Sequence, residues 1–333
     1  MTHLLRKGRT PHGARHRMLR RSRYSVRAFM CAALALVAGR EALAQTSGRP
    51  EAPLVLRLPA SARYAAMANA GVSGNDGDVI FYNPGMLAQA RGVAVSVQRY
   101  GAQATTGAFG SVQALGSFSI GIGAQTLNYG APGYNDLDAA VRAGATRLSD
   151  GGPVSASSSA FTVGVAHTIK GLRLGASVKY AEERLADVRD GSLAVDVGIN
   201  KAMGPATLSA SIQNLGASPA LGGVNGALPT RVTVGYGGGL FPIWEHWDIG
   251  MQTQLSVERD GFVRPAGGVE LGYVPVEGVA IVLRQGLRLP RERDESLVTA
   301  GVGVNVDRFS LDYAMEPMRG GRPVAHRVGV RIR

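Results

Sequence analysis

The sequence predicts an all-β fold, a transmembrane antiparallel β-barrel of about 14 strands with an N-terminal hatch in its lumen. Three observations predict it. Extended segments alternate with period two: Leu172, Leu174, Ala176, Val178 and Tyr180 share one face, and Arg173, Gly175, Ser177 and Lys179 the other. The segment 247–258 alternates in the same way over its whole length. A strand with lipid on one side and water on the other produces this pattern. Second, no run of about 18 apolar residues occurs, which excludes a helical inner-membrane protein. Third, the alternating array follows the pattern of a secretory signal.

That signal is expected over residues 1–44. Arg6, Lys7, Arg9, Arg15, Arg17, Arg20, Arg21, Arg23 and Arg27 form a basic n-region. Residues 28–38 form an apolar segment too short to cross a bilayer as a helix. Ala42-Leu43-Ala44 is an A-x-A cleavage site, so Gln45 is the expected first mature residue. Residues 1–44 hold 10 of the 36 Lys and Arg and 1 of the 24 Asp and Glu, so the net charge falls from +12 to +3 on cleavage. The basic character belongs mostly to the discarded segment and gives no sign of nucleic-acid binding. Cys31, the only cysteine, lies in the same segment behind a poor lipobox. The mature chain therefore has no disulfide, zinc thiolate or cysteine nucleophile available.

Strands are expected at 93–100, 104–115, 117–129, 159–168, 172–183, 191–201, 206–214, 230–240, 246–258, 264–274, 278–288, 296–305, 308–317 and 325–332. Most reach the roughly 9–11 residues that a tilted strand needs to cross a bilayer. An even count suits a closed bacterial barrel. Gly116, Gly171, Asp260-Gly261, Glu277-Gly278 and Asp307-Arg308 mark tight turns, whereas 130–158, 216–229 and 317–324 are long connections. The first of these, rich in Gly, Ser and Asp, is the expected external loop. Paired glycines such as Gly121/Gly123 and Gly301/Gly303 lie at period two with no helix following, so they do not form a phosphate loop. On a lumen face they make room for inserted material. Tyr100, Tyr129, Tyr180, Tyr236, Trp244, Trp247, Tyr273 and Tyr313 suit an interfacial girdle. The last strand alternates through Val328, Val330 and Ile332 but ends in Arg333 rather than an aromatic.

Residues 58–90 do not alternate, and they place a hatch segment at 45–90 ahead of the barrel at 91–333. Small residues, glycine pairs and Asn83-Pro84-Gly85 predict a compact hatch with short helices. Asn75-Asp76-Gly77-Asp78 has clustered carboxylates but no downstream Glu at calcium-loop spacing. A tight turn in which the Asp side chains cap backbone N–H groups is the preferred reading. An alternative pairs Asp76 and Asp78 with lumen arginines. Met67, Val79, Ile80, Phe81, Met86 and Leu87 either line a hydrophobic pocket or pack on the wall.

Ser61-Ala62-Arg63, Met67, Ala70-Gly71-Val72, Asp76, Asp78 and Tyr82-Asn83-Pro84-Gly85 form an ordered set. Gly175–Tyr180, Ala194–Gly198, Ile212–Gly216 with Leu228-Pro229, Leu311–Ala314 and His326-Arg327 continue it along the barrel. The set resembles the PorV/PorQ-type outer-membrane proteins, a family related to the FadL-type transporters. The resemblance implies a fourteen-stranded barrel with an N-terminal hatch, and Asp76, Asp78, Tyr82, Asn83, Pro84 and Gly85 as hatch-anchoring or gating residues. PorV-like members carry secreted proteins with C-terminal signal domains in type IX secretion, whereas FadL-like relatives pass hydrophobic molecules through a gap in the wall.

By alternation Arg173, Lys179, Asp196, Asp248, Gln252, Glu258, Glu270, Arg284, Arg288 and Asp312 face the lumen. Their mixed signs suit a paired lining more than an ion-selective pore. His167, His246 and His326 show no metal-ligand spacing, and no Ser/His/Asp motif is present. No enzyme, cofactor or metal is expected. The expected setting is the bacterial outer membrane, with its lipid and the barrel-assembly machinery as partners. The expected role is binding or transport, led by a secretion shuttle for proteins bearing C-terminal signal domains. Uptake of a hydrophobic small molecule is the alternative, and a structural barrel without transport is the third reading.

Overall fold

The computed structural model describes residues 51–100, 104–130, 155–185, 188–217, 220–221 and 224–333. The signal expected at 1–44 and most of the connection at 130–158 lie outside the described residues. Fourteen strands close into one antiparallel barrel. They are β1 (Gly92–Tyr100), β2 (Ala104–Leu115), β3 (Phe118–Gly130), β4 (Ser155–Ile169), β5 (Leu172–Leu185), β6 (Val188–Met203) and β7 (Ala206–Gly216), then β10 (Arg231–Trp244), β11 (Trp247–Glu258), β12 (Val263–Val276), β13 (Val279–Arg288), β14 (Val298–Val306), β15 (Phe309–Glu316) and β16 (Ala325–Ile332). Between β7 and β10, β8 (Ala220–Leu221) and β9 (Val224–Asn225) form a separate small hairpin. Each barrel strand overlaps the segment expected from the alternation. Closure runs through β1 and β16, with Val95 opposite Val330 and Val97 opposite Val328. It leaves no open edge whose N–H and C=O groups would go unpaired in lipid.

The two faces of the wall follow the period-two pattern. Val97, Val163, Val178, Leu283, Leu311 and Val328 project outward and are exposed. Gln98, Lys179, Asp196, Glu270, Arg284 and Arg327 project inward and are buried. This is the reverse of a water-soluble protein and the order that lipid imposes. Tyr180, Tyr236, Trp244, Trp247 and Tyr273 are exposed on the outer surface. Tyr100 and Tyr129 depart from the girdle expectation. Both sit in the inward register of their strands, and the Tyr129 hydroxyl donates to Glu183 Oε1 at 3.0 Å. Position near a strand end suggested the interface, but parity decides the face.

The two ends differ. Gly116-Ser117, Lys170-Gly171, Gly204-Pro205, Glu245-His246, Glu277-Gly278 and Asp307-Arg308 are two-residue turns at one end, which also holds the start of β1 and the end of β16. Gly171 and Gly278 take φ of 80° and 84°, the left-handed backbone that tight hairpins require. The longer connections lie at the opposite end, and Asp260-Gly261 turns there with them.

The described chain starts at the long-loop end, where Ala52 N donates to Ala227 O at 2.9 Å. It then runs down the lumen through a 3-10 turn (Leu54–Arg57), helix α1 (Ala62–Ala66) and two further 3-10 turns (Gly77–Phe81 and Pro84–Ala88). Ser61 caps α1 by accepting from Tyr64 N. Tyr64, Met67, Val79, Ile80, Met86 and Leu87 are fully buried and pack with Ala108, Val112 and Ala166 of the wall. Of the two roles expected for these apolar residues, packing is the one observed. The paired glycines make it fit: a Cβ on Gly121 would come 2.7 Å from Leu87 Cδ2, and one on Gly123 2.6 Å from the Phe81 ring.

Candidate functional site

Where the hatch meets β12–β16, six charged side chains form a closed ring of alternating sign. Arg63 Nη1 donates to Asp76 Oδ2 at 2.7 Å, and Arg331 Nη1 lies 2.8 Å from Asp76 Oδ1. Arg331 Nε reaches Asp312 Oδ2 at 2.6 Å, and Arg284 Nη1 reaches Asp312 Oδ1 at 2.7 Å. Arg284 Nε donates to Glu270 Oε1 at 2.7 Å, and Arg63 Nε donates to the same oxygen at 2.8 Å, which closes the circuit. Arg63 and Glu270 share a second contact through Arg63 Nη2, and Arg333 adds another guanidinium to Asp76. All six ring members are buried. Three positive and three negative charges balance, which is the condition for keeping ions out of water.

This geometry corrects the preferred reading of Asp76. Asp76 precedes the Gly77–Phe81 turn but makes no side-chain cap there. Guanidinium groups occupy both of its oxygens and the space a cation would fill. Burial opposes its charge, yet Arg331, Arg63 and Arg333 hold its carboxyl well below the usual carboxylate range. Asp78, two residues on, is the opposite case. Burial, then the neighbouring Asp76 charge, push its carboxyl up to about 7.

The remaining motif residues fasten the hatch by neutral bonds. The Tyr82 hydroxyl accepts from Ala60 N and Ser61 N, each at 3.2 Å, and donates to Asn69 Oδ1 at 2.8 Å. Asn83 caps the Pro84–Ala88 turn, its Oδ1 accepting from Gly85 N at 3.0 Å. Its Nδ2 donates to Asn200 Oδ1 on β6 at 2.7 Å. Pro84 stands at the first position of that turn, where its fixed φ fits and its missing N–H costs nothing.

Of the lumen residues expected from alternation, Glu270, Arg284 and Asp312 come together in the ring with Asp76. Lys179 and Asp196 form a separate pair at 2.8 Å on β5 and β6, with Asn214 Oδ1 accepting from Lys179 Nζ at 2.9 Å. Gln252 Nε2 donates to Gly238 O at 3.1 Å, Arg288 pairs with Glu316, and Glu258 meets Arg291 and Arg264 near the long-loop end. Arg173 and Asp248 lie half-buried in the inward register, outside both clusters. The three histidines stay apart: His167 contacts Ser117 O, His246 contacts Val274 O and His326 contacts the Tyr313 hydroxyl.

The arginines of the last strand were the main omission. Arg327 donates to Gln98 Oε1 and Pro59 O, both at 2.6 Å, to Ser96 Oγ at 2.7 Å and to Thr106 Oγ1 at 2.9 Å. It thereby joins β16, β1, β2 and the hatch across the closing seam. The signal was present, because Val328, Val330 and Ile332 face lipid and so turn Arg327 and Arg331 into the lumen.

No protein-family model matches the chain, and no curated protein matches it in sequence. Solved structures do match in three dimensions. The CymD monoaromatic hydrocarbon channel aligns with a TM-score of 0.54 at 8% identity, covering 84% of this chain and 98% of CymD. A FadL homologue from Pseudomonas aeruginosa gives 0.52 at 10%, covering 86% and 99%. A TodX monoaromatic hydrocarbon channel mutant gives 0.52 at 10%, covering 82% and 97%. The barrel has the fold of these outer-membrane channels. At such identities the likeness concerns the fold alone.

Proposed function

We propose that this chain is an outer-membrane channel for hydrophobic small molecules. The observation that supports this reading best is a closed barrel with an apolar outer face and a polar, hatch-filled lumen, a fold shared with outer-membrane hydrocarbon channels. The hatch is fastened on several sides, and the space left beside it is a narrow crevice between Asn69, Val72, Tyr82 and the strands β7, β10 and β11. The shared fold with hydrocarbon channels agrees with this reading. The apolar outer belt fits outer-membrane lipid, and insertion there would require the barrel-assembly machinery.

The secretion-shuttle reading and membership of the PorV/PorQ family rest on the hatch motif. Asp76, Tyr82, Asn83 and Gly85 have structural work in fastening the hatch, so their presence gives no information about a polypeptide cargo. This reverses the order in which the sequence alone ranked the two roles.

The test is entry of toluene into liposomes holding the full-length protein. Faster entry than into protein-free liposomes is the expected result, and equal rates would count against the channel. Native mass spectrometry of the gently extracted protein separates the readings further: a co-purifying polypeptide with a secretion domain would restore the shuttle.

A further inference from the structure

The short-turn rim of the barrel is divided by charge. Its β2–β7 arc, residues 111–122, 163–176 and 198–210, carries Lys170, Arg173 and Lys201 and no Asp or Glu. Its β10–β15 arc, residues 239–251, 273–282 and 303–311, carries Glu245, Asp248, Glu277 and Asp307, with Arg308 the only Lys or Arg. Two cations of the basic arc stand together on the outer surface. Lys201 lies in an outward-facing row that crosses four strands: Ile169 pairs with Leu172, Leu172 with Lys201, and Lys201 with Leu208. Lys170 sits in the turn two residues before Leu172, close to the diagonal spacing at which long side chains on neighbouring strands meet. Both lysines are exposed, and among the described residues neither has a carboxylate within 4.0 Å. Ile169 and Leu174 beside them are exposed and continue the apolar belt. Short turns of bacterial barrels face the periplasm, so this rim meets the inner, phospholipid leaflet of the outer membrane.

We propose that the β4–β6 rim is a docking site for an anionic phospholipid, with its phosphate between Lys170 and Lys201 and its acyl chains along Ile169, Leu172 and Leu174. A lysine in a lipid-facing row extends its ammonium to headgroup level while its stem stays on apolar surface. Cations at that level attract acidic headgroups. The occupant must match both the charge and the apolar row. A periplasmic protein would reach the ammoniums but not Leu172 and Leu174, which turn toward the bilayer, whereas a lipid meets both. The site lies on the outer surface of the barrel, so it stands or falls independently of the channel reading.

Native mass spectrometry of the membrane-extracted protein, offered phosphatidylglycerol and phosphatidylcholine of the same chains in equal amounts, reads the preference. The protein is expected to retain phosphatidylglycerol at least tenfold more often. Lys170→Gln with Lys201→Gln should lower that ratio at least fivefold, and Lys170→Arg with Lys201→Arg should keep it. Arg293→Gln with Arg322→Gln removes the same charge from exposed positions at the long-loop end and should leave the ratio unchanged. Equal retention of the two lipids by the unmodified protein would overturn the proposal, as would a preference that survives the lysine-to-glutamine pair. An equal fall in the Arg293/Arg322 variant would also overturn it, because net charge rather than a site would then set the ratio. Inorganic phosphate that strips the lipid would do the same, by showing a bare phosphate site. Should the double lysine variant fail to fold, Lys170→Gln alone, in its exposed turn, is expected to lower the ratio at least twofold, and no change would overturn the proposal.

Discussion

The hatch meets the β12–β16 side of the barrel through charge and the β3–β6 side through shape. On the first side, Arg63 and Asp76 complete the buried ring with Glu270, Arg284, Asp312 and Arg331. On the second, Ile80, Phe81 and Leu87 fill hollows left by Gly121 and Gly123, with the Asn83–Asn200 bond as the polar tie. The difference teaches which side sets position and which supplies stability. A buried ion ring gains little net free energy, because desolvation offsets most of the attraction, but it tolerates no missing partner. Apolar contacts add roughly 25 cal/mol per Å² of buried surface and degrade gradually.

The largest effect should come from breaking the charged side. Asp76→Ala leaves the Arg63, Arg331 and Arg333 guanidiniums around an empty position. The expected cost is about 3–5 kcal/mol, read as loss of the heat-shifted folded band and a lower unfolding temperature. A change below about 1 kcal/mol would mean that the ring does not hold the hatch. The shaped side should respond less sharply. Leu87→Ala is expected to cost about 2–5 kcal/mol and Gly121→Ala about 1–3 kcal/mol. In the double variant the methyl added at position 121 gains the space that Leu87 vacates, so the combined loss should fall short of the sum. Strict additivity would show that Leu87 does not face Gly121.

Acidity gives a smaller contrast within the charged side. Asp78 has a folded-state carboxyl raised to about 7 by burial and by Asp76, above its unfolded value, with Arg331 and Arg63 pulling the other way. The folded state therefore holds a proton that the unfolded chain has released. This contribution is full below the unfolded pKa of about 4 and is lost as pH rises through about 7. Asp76 is depressed, so its contribution persists until the pH falls well below the ordinary carboxylate range. Unfolding temperature should therefore decline between about pH 4 and 7, the interval between the unfolded and folded values, and level off above it, and Asp78→Asn should flatten the decline. An unchanged slope in the variant would assign the titration elsewhere. The smallest effect is expected at the rim, where Arg322 is mostly exposed beside Asp294. Arg322→Ala should change stability by less than about 0.5 kcal/mol, which makes it the control for the buried pairs.

The barrel was legible in the sequence because lipid on one side and a polar lumen on the other impose period two on every strand. The hatch was legible as a non-alternating piece facing a glycine-rich wall. The ring was only partly legible. Alternation turns Glu270, Arg284 and Asp312 inward, but pairing them with Arg63 and Asp76 depends on how an irregular segment threads the lumen, and no periodicity describes that. Asp76 shows the cost of local reasoning: an Asn-Asp-Gly-Asp run suggests a self-capped turn, while Arg63 of the hatch and the sequence-distant Arg331 and Arg333 claim its oxygens.

The central claim is that the hatch is an integral, buried part of the folded barrel, fastened on two sides. Hydrogen–deuterium exchange of the full-length protein in a lipid bilayer tests it most directly, by comparing residues 61–90 with the barrel strands. The account predicts that amides bonded within the hatch, such as those of Met67, Tyr82 and Met86, exchange as slowly as those of β5 and β12. Complete exchange of the hatch within seconds, while the strands stay protected, would contradict it.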